Sequence, residues 1–200
     1  MDSARKEGKK MKINSVVISG LILKDPQYVF ERNSMYCYKT ELAVKRDSGI
    51  EDIIPVVLSE NLLPMALEGT MASVTGEYRS YAKDGRLNHY VLAHSVTTLT
   101  NGNSNNIDLI ASVIAKPTKR ITPQGRRIAD LFLAYSRYGR SDYIPAVIWG
   151  KGAEEASHLK IGTKVHITGR IQSREYCKNE VTRRINEISI KHMLVVEIPT

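Results

Sequence analysis

Apolar and polar residues alternate along most of the chain. Val165, Ile167 and Ile171 alternate with Lys164, His166, Thr168, Arg170 and Gln172, the two-residue period of a strand buried on one face. Ile144, Ala146 and Ile148 repeat the pattern one strand earlier, and Ile188 and Ile190 in the last strand. Between them Gly152–His158 is rich in alanine and glutamate and predicts a helix of about two turns. The earlier half follows the same course. Strands are predicted at Val16–Leu23, Tyr38–Val44, Ile53–Leu58, Met71–Tyr78 and His89–Leu99, with a helical piece near Asn61–Leu67. Pro26, Gly49, Gly69 and Asp84-Gly85 punctuate it as turns.

The two halves repeat one another. Asn14–Leu23 resembles Asn106–Ala115, Ile53–Leu58 matches Tyr143–Ile148, and Gly69-Thr70 with Val74-Thr75-Gly76 matches Gly162-Thr163 with Ile167-Thr168-Gly169. These blocks recur in the same order, so one fold has been written twice. The uncharged, turn-rich stretch 100–106 reads as a linker. The predicted organisation is a basic tail (residues 1–12), a first domain (13–99), the linker (100–106) and a second domain (107–200). Five strands with a helix between the third and fourth is the plan of the OB barrel. The fold class is therefore mainly all-β: two tandem five-stranded OB-type barrels.

Charge separates the halves. The chain of 200 residues carries a formal net charge of +8, which predicts a polyanionic partner, nucleic acid or an acidic membrane surface. Residues 107–200 hold 16 Lys+Arg against 9 Asp+Glu, whereas residues 13–99 hold 8 against 10. A polyanion is expected at the second domain and the tail. No apolar run approaches the ~20 residues of a membrane span, and the lysine-rich start lacks the apolar core of a secretory signal. Cys37 and Cys177 are the only cysteines. They offer neither zinc spacing nor a disulfide framework, so no metal or cofactor is expected, and the cytoplasm is the expected location.

The second copy resembles the bacterial single-stranded DNA-binding proteins. The likeness runs through Arg120–Gly125, Ala129–Ala134, Tyr143–Gly150, Ala153–Ala156 and Gly169–Tyr176. The first copy shares it more faintly, through Ser19-Gly20, Asp25-Pro26 and Ile54–Val57. The resemblance implies binding of unpaired DNA without strong sequence preference, in replication, recombination or repair, and assemblies of four OB domains, which two copies of this chain would supply as a homodimer. It also implies that Tyr143, Trp149 and Tyr176 stack on bases. Their counterparts in the first copy are Ile53, Ser59 and Lys83, or Tyr81 under a two-residue shift, so the first face is expected to be degenerate. The resemblance also implies a flexible tail with an acidic tip that recruits replication and recombination proteins; residues 195–200 do not show that pattern, so such recruitment is not expected from them.

Binding of single strands without sequence readout requires cations along the phosphate path and flat rings under the bases. Tyr143 and Trp149, six residues apart on one strand, project to one face, and Phe132 projects away from the core between Leu131 and Leu133. Lys164, Arg170 and Arg174 lie on the polar face of a strand that Tyr176 ends, with Lys178 beyond it. Arg126, Arg127, Arg183 and Arg184 are expected in two hairpin loops. The proposed face is expected to be poor in acidic residues, unlike a metal-dependent nuclease. There is no GxxxxGK[ST], HExxH or GxSxG motif, so no catalytic residue is assigned and the chain is not expected to be an enzyme. Two other readings fit the same residues: an OB interaction module that touches nucleic acid only incidentally, and an RNA-binding OB protein.

Overall fold

The computed structural model describes residues 12–32, 34–178 and 181–196, and the side chains of 176–178 and 181 lie outside that description. The first half forms β1 (Asn14–Ile22), β2 (Gln27–Arg32), β3 (Met35–Lys45), β4 (Glu51–Ser59), β5 (Met71–Lys83) and β6 (Arg86–Thr98). The second forms β7 (Asn105–Val113), β8 (Thr118–Ile121), β9 (Arg127–Arg137), β10 (Arg140–Trp149), α1 (Lys151–Ser157), β11 (Lys164–Lys178) and β12 (Val181–Val195). In each half five strands close on themselves. β1 pairs with both β3 and β5, and β4 and β6 meet in parallel at Val56↔Val91. β7 pairs with both β9 and β11, and β10 and β12 meet in parallel at Ala146↔Ile188. These are the two OB barrels that the alternation predicts.

The predicted alternation decides the cores. Val16, Ile18, Leu42, Ile54 and Val74 fill the first, and Leu109, Leu133, Ile144, Ile167 and Ile171 the second, all fully buried. The helix between the third and fourth barrel strands differs between copies. α1 buries Ala153 and Ala156, whereas the first copy has a 3-10 helix, Glu60–Met65, with Pro64 inside it. Proline removes a backbone donor and crowds the preceding turn, which works against an α-helix there. Two short strands escape the alternation: every residue of β2 and of β8 is exposed. Among the described residues, no helix is long and apolar enough to cross a membrane.

The barrels share one sheet. β1 pairs antiparallel with β7 from Asn14↔Leu109 to Ile18↔Asn105. The segment 100–106 is therefore not a plain linker: Asn105 and Asn106 belong to β7, and the Ser19 N–H donates to the Ser104 carbonyl at 2.7 Å. Polar side chains reach across at two related places. The Ser173 N–H donates to Asp52 Oδ1 (2.6 Å), Ser173 Oγ accepts the Ile53 N–H (2.9 Å), and Asn186 Nδ2 donates to the Ile53 carbonyl (2.9 Å). In the other direction the Ser80 N–H donates to Asp142 Oδ1 (2.8 Å), Ser80 Oγ accepts the Tyr143 N–H (2.9 Å), and His89 Nε2 lies 3.0 Å from the Tyr143 carbonyl. Each barrel thus clamps the other through equivalent residues.

Candidate nucleic-acid interface

The outer face of the second barrel follows from its inner one. Leu131, Leu133, Ile144, Ala146, Ile148, Ile171 and Ile188 point into the core, so their neighbours on β9, β10, β11 and β12 point outward. Phe132 and Tyr143 lie there on adjacent strands, 37% and 44% exposed, with ring centroids 6.2 Å apart and planes inclined by 25°. Trp149 is 40% exposed rather than packed in the core. It stands six residues, about 20 Å, along β10 from Tyr143. A wide cleft of ≈ 750 Å³ opens beside it, lined by Arg126, Arg127, Gly150, Lys151 and Glu154.

Arginines extend the face onto β11 and β12. Arg170 pairs with Ser189 and Arg174 with Ile185 in the ladder, in the same outward rows. Two acids also stand on this face, which is less acid-poor than the sequence suggests. Glu187 is nearly buried and accepts from Gln172 Nε2 at 2.9 Å and Arg174 Nε at 3.2 Å. Asp130 holds Arg120 through contacts of 2.6 and 3.1 Å. Both carboxylates face a guanidinium, so the surface keeps its positive balance.

Several predicted residues sit elsewhere than expected. Arg127 opens β9, and Arg183 and Arg184 lie within β12, because β11 and β12 stay paired out to Lys178↔Val181. Strand alternation then sends Arg183 and Arg184 to opposite faces. Arg184 bonds to Glu175 at 2.8 Å. Lys164 opposes Ser112 of β7 at the far end of β11, about 33 Å along the strand from Arg174. It does not join the aromatic cluster. The Tyr176 and Lys178 side chains lie outside the described residues.

One ring was not anticipated. Tyr138, at the tip of the hairpin joining β9 and β10, is 99% exposed, and Lys12 Nζ lies 5.2 Å from its ring centre. The sequence signal is Arg137-Tyr138-Gly139-Arg140: an aromatic on a glycine turn between two arginines. Gly139 has φ +71°, a left-handed value that suits glycine.

The base of this hairpin is anchored by a buried carboxylate. Asp142 is fully buried and accepts from Ser80 N, Arg137 Nε (2.7 Å) and Arg79 (3.1 Å). Burial alone would make it a weaker acid, but the bonds from Arg137, Ser80 and Arg79 outweigh that and hold the carboxyl below the ordinary range. Tyr143 is thereby fixed at its own backbone by groups of the first barrel.

Comparison with known proteins agrees with this architecture. The single-strand binding protein family matches residues 104–196. Single-stranded DNA-binding protein 3 of Clostridium acetobutylicum is 33% identical over 102 residues, which cover 46% of this chain and 71% of that protein. The single-stranded DNA-binding protein of Clostridium tetani is 36% identical over 88 residues, covering 40% of this chain and 61% of the relative. For that of Halalkalibacterium halodurans the matched segment spans only 52% of the relative. The crystal structure of the single-stranded DNA binding protein from Thermus aquaticus superposes with a TM-score of 0.77 and covers 96% of both chains, at 22% identity, a likeness of fold. This chain belongs to the single-strand binding protein family.

Proposed function

We propose that the chain binds single-stranded DNA along the outer face of the second barrel, and that it coats and protects unpaired strands during replication, recombination or repair. It acts by binding and not by catalysis. The supporting observation is the pairing of half-exposed rings, Phe132 with Tyr143 and Trp149 farther along β10, with Arg170 and Arg174 on the adjoining strands. Bases stack on the rings while phosphates meet the guanidinium groups, an arrangement that tolerates any sequence. The names of the relatives agree with this ligand. Two copies of the chain would assemble four barrels. The outer surface of the shared sheet, where Val17 and Leu21 are exposed, is a suitable meeting face.

The test is titration of fluorescent oligo-dT and of a duplex of equal length. Tight binding to the single strand and much weaker binding to the duplex are expected, because paired bases offer no free faces. Loss of a stacking ring costs roughly 1–3 kcal/mol per base, so Tyr143→Ala and Trp149→Ala should each weaken binding about five- to 150-fold. Trp149 fluorescence should be quenched on binding. Equal affinity for both DNA forms, with both variants silent, would reduce the face to a nonspecific basic surface.

A further inference from the structure

The shared sheet has two ends, and they differ. β2 stands at one end of the strand order and β8 at the other. Among the described residues each pairs with one neighbour only, β3 or β9. Their outer edges therefore present backbone N–H and C=O groups to solvent, a template for another strand. β8 carries Lys119 and Arg120 at its centre, and charge on an edge strand works against further pairing. β2 has Tyr28, Val29 and Phe30 in the corresponding stretch, with Glu31 and Arg32 only at its end.

β2 belongs to an apolar patch. Tyr28, Val29, Phe30, Met35 and Tyr36 are all exposed, and Tyr28 makes edge contacts with Tyr36 and Tyr38, ring centroids 6.0 Å apart in each pair. Half-exposed side chains of this size leave on the order of 400 Å² open, the scale at which an apolar patch on a soluble protein marks a contact. The patch complements itself. Run antiparallel against its own copy about a two-fold axis at Phe30, β2 sets Phe30 on Phe30 and Tyr28 beside Arg32, an apolar centre flanked by two cation–ring contacts. The first half, with 8 Lys+Arg against 10 Asp+Glu, brings little net charge to such a meeting, whereas two second halves repel. A bulge interrupts the β2–β3 register between Tyr28 and Phe30. It bends the edge, so the contact rests on side chains more than on a long ladder.

We infer that the β2 edge is a self-association surface, across which two copies of the chain meet with Phe30 against Phe30. It is separate from the outer face of the shared sheet at Val17 and Leu21, and it does not depend on the DNA reading of the second barrel. Two such patches bury on the order of 800 Å² of apolar surface between them, below the ~1,600 Å² of a standard stable interface. The pair therefore forms at high protein concentration and comes apart on dilution.

The experiment uses the full chain, with Cys37 and Cys177 replaced by serine so that an introduced thiol has no other partner in its own chain. Phe30→Cys should then give a covalent dimer under mild oxidation, because residues directly opposed in an antiparallel pair bring their Cα atoms to about 4.5–5.5 Å, within disulfide reach. Ile121→Cys, on β8 and more exposed than Phe30, should stay monomeric on a denaturing gel. With the native cysteines in place, sedimentation from low to high micromolar concentration should show a doubling of mass that Phe30→Lys lacks, since the lysine gives β2 the kind of charge that β8 carries. Val29→Lys repeats the test if Phe30→Lys does not fold, and both variants should bind a short oligo-dT as wild type does. No cross-link from Phe30→Cys, equal cross-linking from Ile121→Cys, or wild-type association by a folded lysine variant would overturn the β2 contact.

Discussion

Val16 and Ile107 face each other across the antiparallel seam between β1 and β7, and they occupy the same place in their respective barrels, Val16 opposite Gly76 and Ile107 opposite Gly169, one residue from the register of the sequence match. The seam is therefore centred on a pseudo-two-fold axis. The clamps obey the same symmetry, since Asp52 with Ser173 repeats Asp142 with Ser80. The chain is folded as a dimer of its own halves, joined by an interface that is nearly self-complementary.

A fragment of residues 104–196 should accordingly dimerise. Without β1, the edge of β7 is open, and its register with a second β7 would again bring Ile107 against Ile107. Asp142 of each copy would then receive the Ser173 N–H of the other. Sedimentation at micromolar concentration should give twice the fragment mass. A folded, monodisperse monomer would show that the seam depends on residues peculiar to β1.

Asp142 should be a stability determinant rather than a DNA contact. Its replacement by alanine leaves Arg137 without its carboxylate and Arg79 with Glu77 alone near the junction. Breaking a buried pair in this way costs about 3–5 kcal/mol. Denaturant unfolding of Asp142→Ala should show a loss of that order, and a change under ~1 kcal/mol would mean that the arginines find other partners.

Acid should weaken the same junction in two stages. Burial lowers the proton affinity of His89, outweighing the opposing effects of the Tyr143 carbonyl and Asp142. The unfolded chain then binds this proton more readily than the folded one. Stability is full above the ordinary histidine value near 6.5 and falls as pH drops through it, at up to about 1.4 kcal/mol per pH unit. Asp142, held below its ordinary range, adds a second loss below about pH 4. Asn186 plays the part of His89 in the other clamp. His89→Asn should therefore flatten the first stage and leave the second, as read by thermal melts from pH 7 to 3.

Gly169 should tolerate no side chain. It lies at the bulge where β12 slips by one residue against β11, and an added Cβ would run into the Ser189 carbonyl and the Ile190 backbone. Backbone cannot yield as a side chain can, so Gly169→Ala should cost at least about 1–3 kcal/mol. An unchanged melting temperature would contradict the close approach. Gly76 makes the same approach to Leu92 in the first barrel and should respond alike.

Salt should oppose DNA binding steeply. If about five phosphates are neutralised, the log–log slope on single strands is near −3.5, and a fourfold rise in salt weakens binding on the order of a hundredfold. Arg174→Ala should lower the slope by about 0.7. A flat response would place the positive charge of the second half away from the strand.

Sequence alone determined the tandem barrels and the outward positions of Phe132, Tyr143 and Trp149. Alternation is a local property: once Ile144, Ala146 and Ile148 are drawn inward, Tyr143 has nowhere to point but out. The repeat likewise needs no structure to be seen, although its first block is shifted by one residue: the ladders make Val16 equivalent to Ile107, where the sequence match pairs it with Asp108. Tertiary structure decided what lies between elements. β2 and β8 carry no alternation because neither face is buried, so no periodic signal exists to find them. Arg183 and Arg184 looked like loop residues because the length of a hairpin depends on how far two strands stay paired, and that is settled by both strands together. The reach of Ser80 to Tyr143 and of Ser173 to Ile53 joins residues more than 60 positions apart. Such contacts depend on the β1–β7 seam, which forms only when two separately encoded edges meet.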